Sequence, residues 1–287
     1  MVTVSAGKNS VAYVDAPQSC WGALGAWLAS ASDKKACVLV LPTASDCDFF
    51  FTRLDYFLKL SPQKFRLKVL PAEFSQNLSD AATFDSVCER TGTLNALAES
   101  ADCPAKTVVL TSPDALFAPA PKPVACERIY LEQGASFKME LLRAKLLEYG
   151  YYNEVLCESP GQFAVRGGVI DVYPIASQYP VRVDFFGDEI ESIRIFNPDT
   201  QLADGKTSAV RIDRAPSQTA SPDSAYTALD YVKTPAEWVL FEPRVLAQKY
   251  QNFFLRPENA GAESVAGGEL FARAGDSFAC VSSISSA

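Results

Sequence analysis

The sequence contains no histidine, and this absence removes several kinds of site at once. Without an imidazole the chain cannot build a His-coordinated metal centre, a Ser-His-Asp triad or a Cys-His pair. Its eight cysteines include no C-x-x-C pair, so their spacing favours neither a zinc site nor a redox motif. We expect reduced thiols of the kind found in the cytosol. We also predict that the chain uses no metal and no cofactor.

Long apolar runs and an excess of basic residues are missing too. No stretch reaches the roughly 18 consecutive apolar residues of a membrane-spanning helix, and the N-terminus does not resemble a secretory signal. The 26 lysines and arginines are outnumbered by 34 acidic residues, which gives a net charge of −8. Because nonspecific DNA binding depends on neutralising phosphates, so acidic a chain is a poor candidate for binding nucleic acid by itself. We predict a cytoplasmic protein without membrane association.

Residues 1–126 alternate between strand-like and helix-like segments. Short apolar runs predict strands, and apolar residues at helical spacing predict the helices between them. The strand candidates are 11–14, 37–41, 66–70 and 107–111, and the helix candidates are 21–29, 49–60 and 86–98. Repeated strand–helix units indicate a parallel sheet covered by helices.

The pattern changes after the proline-rich stretch 117–123. A helical stripe ends at Tyr149, with Gly150 suited to the C-terminal cap, and short alternating segments separated by glycine and proline follow. We predict a small inserted α+β domain over 127–214. The polar segment 217–224 then leads to a further strand at 238–241 and a helix at 245–254, so 215–287 is predicted to return to the α/β domain. The chain ends without a finishing element, and we expect a fragment of a longer protein.

A parallel α/β domain raises the question of a nucleotide site at its first strand-to-helix turn. A phosphate-binding loop needs G-x-x-x-x-G-K-[ST], because glycine amides and the lysine hold the phosphates. The turn instead carries Ala16, Pro17, Gln18, Ser19, Cys20 and Trp21. We therefore predict a degenerate phosphate loop that binds no nucleotide. Gly205-Lys206-Thr207 imitates the end of the motif, but Thr200 occupies the first glycine position, and we predict a polar surface turn there.

One segment, 158–201, combines cations and aromatic rings on alternating positions. Side chains alternate between the faces of a strand, so Val181, Val183 and Phe185 share one face, which we assign to the core. Arg182 and Phe186 then point the other way. Arg166 lies directly before Gly167-Gly168, where a partner can approach the backbone closely.

Two interpretations of these side chains remain open from the residues alone. Arginine and aromatic residues are enriched at binding hot spots, which favours a protein-binding surface. Alternatively, Arg166 pairs with Glu158 or Asp171, and Arg182 pairs with Asp184 or a cross-strand acid, as structural ion pairs. Phe186 then simply covers the helix.

The same segment resembles a known family. PGQFAVRGGVIDVYP followed by PVRVDFFGDEIESIRIFNPDTQ is similar to the region shared by the bacterial transcription-repair coupling factors and the excision-repair protein UvrB, and closer to the former. Weaker similarity precedes it, in ERTGTLNALAE and KTVVLTSPDALF. The likeness covers most of residues 10–250 and is strongest over 137–201.

The resemblance implies a non-catalytic module. Its fold is a degenerate helicase-type (RecA/P-loop-like) parallel α/β domain, split around the inserted α+β domain. The insert is implied to bind the repair ATPase UvrA through Arg166, Arg182 and Phe186. If all three face solvent, replacing them with alanine leaves the fold intact.

The resemblance also implies RNA polymerase and DNA as partners of the whole protein, through regions outside these 287 residues. No tyrosine-rich hairpin of the UvrB kind is found near 90–100. The alternative function is a fragment of a UvrB-type ATP-dependent helicase that binds nucleotide and damaged DNA.

Overall fold

The computed structural model describes residues 3–5, 11–72, 81–123, 128–177, 179–215, 226–254 and 277–282. Fifteen strands lie in these ranges: β1 Thr3–Ser5, β2 Val11–Asp15, β3 Ala36–Val40, β4 Phe65–Val69, β5 Lys106–Thr111, β6 Arg128–Glu132, β7 Tyr152–Asn153, β8 Gln162–Arg166, β9 Val169–Val172, β10 Val181–Phe186, β11 Glu189–Phe196, β12 Ala203–Thr207, β13 Ala209–Asp213, β14 Ala236–Phe241 and β15 Ser277–Ser282. The α-helices there are α1 Trp21–Ala31, α2 Ala44–Lys59, α3 Ala81–Ala98, α4 Pro113–Phe117, α5 Met139–Glu148 and α6 Pro243–Phe254.

The chain divides into two compact units. The first comprises Met1–Phe74, Ala96–Pro123 and Pro222–Ala287, and the second comprises Ser75–Asn95 and Val124–Ser221. The second unit thus includes a segment, 75–95, that lies well upstream of the predicted insert. The predicted boundary between 126 and 127 and the polar segment 217–224 lie outside the described residues, and the domain limits 1–126, 127–214 and 215–287 stay predictions.

The first unit is built on a seven-stranded sheet with the order β1-β2-β15-β14-β3-β5-β4. Among the described strands of this sheet, only β1 and β2 pair antiparallel, and all other neighbouring strands pair parallel. All residues of β3 and β5 are buried, as expected for parallel strands covered on both faces. The predicted α/β class with a parallel sheet is confirmed, and the predicted strands and helices of this unit are found at the expected places.

Helix α2 shows how the sequence determines one layer of this unit. Thr43 caps its start, because the Thr43 side chain accepts a hydrogen bond from the Asp46 amide at 3.1 Å. Its buried side chains recur at helical spacing and face the sheet: Cys47, Phe50, Leu54 and Leu58. Gly22 of α1 lets the two helices approach closely, since a Cβ at this position would lie 2.9 Å from the Cβ of Arg53.

The second unit contains a six-stranded sheet with the order β12-β11-β10-β9-β8-β7 and a two-stranded pair of β13 with β6. Helix α5 packs on one face of it through Leu142 and Leu146, which belong to the same core as Phe163, Ile170 and Val183 of the sheet. Gly150 has a φ of +80°, which fits its predicted place after the helix. The described part of the predicted insert therefore combines one α-helix with small sheets in which only β7 and β8 pair parallel, and most of α3 belongs to the same unit from outside the predicted range.

One local prediction is wrong. Gly205, Lys206 and Thr207 do not form a surface turn but the end of β12, an edge strand that pairs with β11. The reason is the alternation of Ile193 and Ile195 on β11, which extends the core far enough to hold one more strand. Lys206 is nevertheless exposed, as a polar segment requires.

Among the described residues, none of the helices has the length and apolar character needed to cross a bilayer.

Candidate protein-interaction site

The six-stranded sheet has a core face and an opposite face, which we call the outer face. On β10 the core face carries Val181 and Val183, both buried, and Phe185, which packs against the same core. Arg182 and Phe186 alternate with them and lie on the outer face. The predicted division of this strand into two faces is confirmed.

Arg182 is only partly exposed, because it forms an ion pair within the sheet. Its register partner on β9 is Asp171. Arg182 donates from Nε to Oδ1 at 2.6 Å and from Nη2 to Oδ2 at 2.8 Å, so the contact is bidentate. The side chain of Arg182 is 21% exposed and that of Asp171 is 2% exposed. The hydrogen bonds that Arg182 donates to Asp171 raise the pKa of Arg182 above its usual value.

Beneath Arg182 lies a small apolar cluster of the outer face. Its buried members are Cys157, Ala164 and Phe196, and the Arg182 guanidinium lies 4.9 Å from the centre of the Phe196 ring. Burial raises the pKa of the Cys157 thiol above its usual range. This cluster explains why Arg182 extends across the sheet toward Asp171: apolar atoms cover one side of its guanidinium plane.

The cross-strand alternative for Arg182 is therefore the one found in the structure. Asp184 instead pairs with Arg194 of β11, which donates from Nη2 to Oδ1 at 2.8 Å. The Ser192 hydroxyl donates to the same carboxylate of Asp184. The condition set for a stable triple alanine variant, that all three side chains face solvent, is not met by Arg182, whose side chain is 21% exposed and bound to Asp171.

Arg166 and Phe186 lie at the end of the sheet where two tight turns meet. The β8–β9 turn contains Gly167 and the β10–β11 turn contains Gly187, with φ of +58° and +61°. Phe186 is 79% exposed, a large value for an aromatic ring. Arg166 is exposed as well, and its Nη2 donates to the Val155 carbonyl at 2.9 Å rather than to Glu158 or Asp171.

Sequence reasoning missed Arg194 and Lys206, which share the outer face with Arg182. The register pairs Arg182 with Arg194, and Arg194 with Lys206. The sequence signal for Arg194 is the alternation within ESIRIF, where Ser192 and Arg194 alternate with the core residues Ile193 and Ile195.

The turn predicted to be a degenerate phosphate loop is internally bonded. The Cys20 amide donates to the Pro17 carbonyl at 2.9 Å, the Ala16 amide donates to Ser282 at 3.0 Å, and Pro17 has no amide proton. The indole of Trp21 fills the space under the turn: its Nε1 donates to the Ala16 carbonyl at 3.0 Å, and its ring lies 5.0 Å from that of Phe241. At positions 16, 17 and 20 of this turn, no amide is therefore left to face a phosphate.

The domain class follows from a comparison with family models. Residues 129–216 match the UvrB interaction domain, and this span contains the outer face and all three predicted contact residues.

The particular proteins that this chain is similar to are transcription-repair coupling factors. It is 31% identical to the one from Bacillus subtilis over 105 residues, which are 37% of this chain and 9% of that protein. It is 36% identical to the one from Myxococcus xanthus over 176 residues, 58% of this chain and 14% of that protein. UvrABC system protein B from Thermus thermophilus is 35% identical over 80 residues, 28% of this chain and 12% of that protein.

The chain thus spans only 9% to 14% of these relatives. The predicted resemblance to the UvrB-like module of transcription-repair coupling factors is confirmed.

Proposed function

We propose that this chain docks the nucleotide-excision-repair ATPase UvrA during transcription-coupled repair, through Arg166, Arg182 and Phe186 on the outer face. The observation that carries the proposal is the exposure of Phe186, 79%, on a strand whose other large side chains are at least half-buried. An aromatic ring held outward by a folded sheet costs little entropy on binding, and its burial by a partner contributes about 2 kcal/mol.

The three residues have unequal roles in this proposal. Phe186 and Arg166 are free to contact a partner directly, at the end of the sheet formed by the two glycine turns. Arg182 keeps its guanidinium in place through Asp171 and offers only the edge that is not used in that pair. A partner carboxylate can approach this edge, and a fixed guanidinium loses less side-chain entropy on binding than a mobile one.

The first unit is a degenerate helicase-type domain, RecA/P-loop-like, that is split around the inserted α+β domain. This part of the proposal is supported by the strand order. Strands β14 and β15 come from the far side of the insert in sequence, yet they pair between β2 and β3 in the sheet.

The module has no catalytic role of its own. The internally bonded turn at 16–21 supports this, because a phosphate site requires amides that are free to donate. In the whole cytoplasmic protein, RNA polymerase and DNA are contacted by other regions. Titration of this chain with ATP and Mg²⁺ is expected to give no binding heat, and measurable affinity would favour the alternative function, a UvrB-type helicase fragment.

Docking is tested by calorimetric titration of purified UvrA with this chain and with Arg166→Ala/Phe186→Ala. We expect each substitution to weaken binding by about 1–3 kcal/mol if the residues are central anchors. A matched control is Arg143→Ala/Leu147→Ala on α5, since these side chains are 48% and 52% exposed and the helix packs on the core face. Unchanged affinity of the Arg166/Phe186 variant, with its melting temperature retained, refutes the site.

A further inference from the structure

We propose that three cations in one line across the outer face, Arg182, Arg194 and Lys206, receive an acidic segment of the docked protein. We call them the cation row. This inference rests on the proposed docking function and deepens it, because it gives the chemistry of the partner surface and extends the site by two residues.

The register of strands β10, β11 and β12 places the three residues of the cation row opposite one another. Arg182 of β10 stands opposite Arg194 of β11, and Arg194 stands opposite Lys206 of β12. Directly opposite positions on antiparallel strands bring Cβ atoms to about 5 Å, so the three side chains are neighbours on one face. Like charges directly opposite each other destabilise a sheet. Because each cation of the row stands opposite another cation, an anion that lies across the row reduces their mutual repulsion.

The arginines of the row are only partly neutralised. Each has its own aspartate, Asp171 for Arg182 and Asp184 for Arg194, and both aspartates are more buried than the cations they hold. The atoms of these two pairs that remain accessible are therefore mainly those of the arginines, with Arg194 36% exposed. Lys206 is exposed, and within the described part of the chain its ammonium forms no ion pair.

An acidic protein segment fits this row better than DNA does. Three positions across neighbouring strands span only about 10 Å, which matches two or three carboxylates of one segment. Tight binding to a duplex needs more phosphate contacts and a surface of one sign, whereas this chain has a net charge of −8. The exposed ring of Phe186 on the same face also suits a protein interface, where aromatic anchors are surrounded by polar contacts.

The experiment compares Lys206→Glu with Arg143→Glu in titrations with purified UvrA, at low and at physiological ionic strength. Both substitutions change the charge by the same amount on exposed cations of the same unit, but Arg143 lies on α5. We expect Lys206→Glu to weaken binding about tenfold at low salt, with a smaller loss at physiological salt, and Arg143→Glu to have little effect. Arg194→Gln/Lys206→Glu is expected to lose more than Lys206→Glu alone.

The outcomes separate this inference from the docking function. If Arg166→Ala/Phe186→Ala loses affinity while Lys206→Glu and the double variant bind as wild type, the cation row is not part of the site, and docking stands. If neither set changes affinity, or if the wild-type chain does not bind UvrA, both proposals are overturned. Each variant is also titrated with duplex DNA. If Lys206→Glu abolishes DNA binding and leaves UvrA binding unchanged, the cation row binds phosphates and the inference is overturned. Melting temperatures establish that each variant is folded.

Discussion

Arg182 holds Asp171 across two strands of the outer face through two hydrogen bonds of 2.6 and 2.8 Å. Arg182, which the family resemblance implies as a contact residue for UvrA, is therefore also part of the domain's own structure. The two roles are compatible because the aspartate is buried and the arginine lies above it. The pair fixes the direction of the guanidinium, and the remaining edge of the guanidinium faces outward.

Arg182→Ala is expected to lower the free energy of unfolding of the second unit by about 3 kcal/mol, since it leaves a buried carboxylate without its cation. Phe186→Ala is the matched comparison, and at 79% exposure we expect it to change stability by less than about 0.5 kcal/mol. Urea unfolding followed by amide exchange in the six-stranded sheet measures both. Equal stabilities of the two variants would show that Asp171 is satisfied without Arg182.

The sequence allowed the two faces of β10 to be predicted, because core and outer residues alternate without interruption from Val181 to Phe186. It did not allow the pairing of Arg182 with Arg194 to be predicted. Counting back from the β10–β11 turn places Arg182 opposite Ile193, but the register shifts between Asp184 and Phe185. A β-bulge of this kind shifts the pairing of every later residue by one, so that the count assigns those side chains to the wrong face. No residue type in the segment predicts the bulge.

The pairing of Arg182 with Asp171 could not be predicted from the sequence for a different reason. Strands β9 and β10 are joined by a long connection rather than a tight turn, so their register follows from core packing and not from turn geometry. Sequence reasoning therefore left a cross-strand acid as one alternative among several. The loss of the phosphate-binding residues at Ala16–Trp21, by contrast, is visible in the sequence, because the glycines and the lysine of the motif are missing there.

Gly92→Ala tests the packing of α3 in the second unit. In an exposed helix the change stabilises by about 1 kcal/mol, but here an added Cβ would lie 2.5 Å from the carbonyl oxygen of Ile175. Because a backbone atom cannot move aside cheaply, we expect a net loss of about 1–2 kcal/mol, measured by urea unfolding. Gly205→Ala is the control, since its Cβ meets nothing within 4 Å. A stabilising Gly92→Ala would contradict this packing.

Trp21→Ala tests whether the degenerate turn has a structural role. The indole packs against Phe241 and is 6% exposed, so its removal is expected to lower stability by about 3–5 kcal/mol. Trp27→Ala on the same helix removes an equal side chain that is 62% exposed and is expected to have a small effect. Thermal melting of the two variants provides the comparison, and similar melting temperatures would count against the packing role of Trp21.

Thiol reactivity reports on the burial of the first unit's core and of the outer-face cluster beneath Arg182. The thiolate is the reactive form of cysteine, and burial raises the pKa of Cys47 to about 12 and that of Cys157 above its usual range. Cys20 is exposed at the start of α1. In the native chain at mildly alkaline pH, we expect iodoacetamide to modify Cys20 within minutes. Cys47 and Cys157 are expected to react at least about a hundredfold more slowly, because a buried thiol becomes reactive only when the protein opens locally. Mass spectrometry of timed samples measures the order in which the three cysteines are modified. A urea-unfolded sample is the control, in which all three react alike. Early modification of Cys157 in the native chain would mean that the cluster beneath Arg182 is open to solvent.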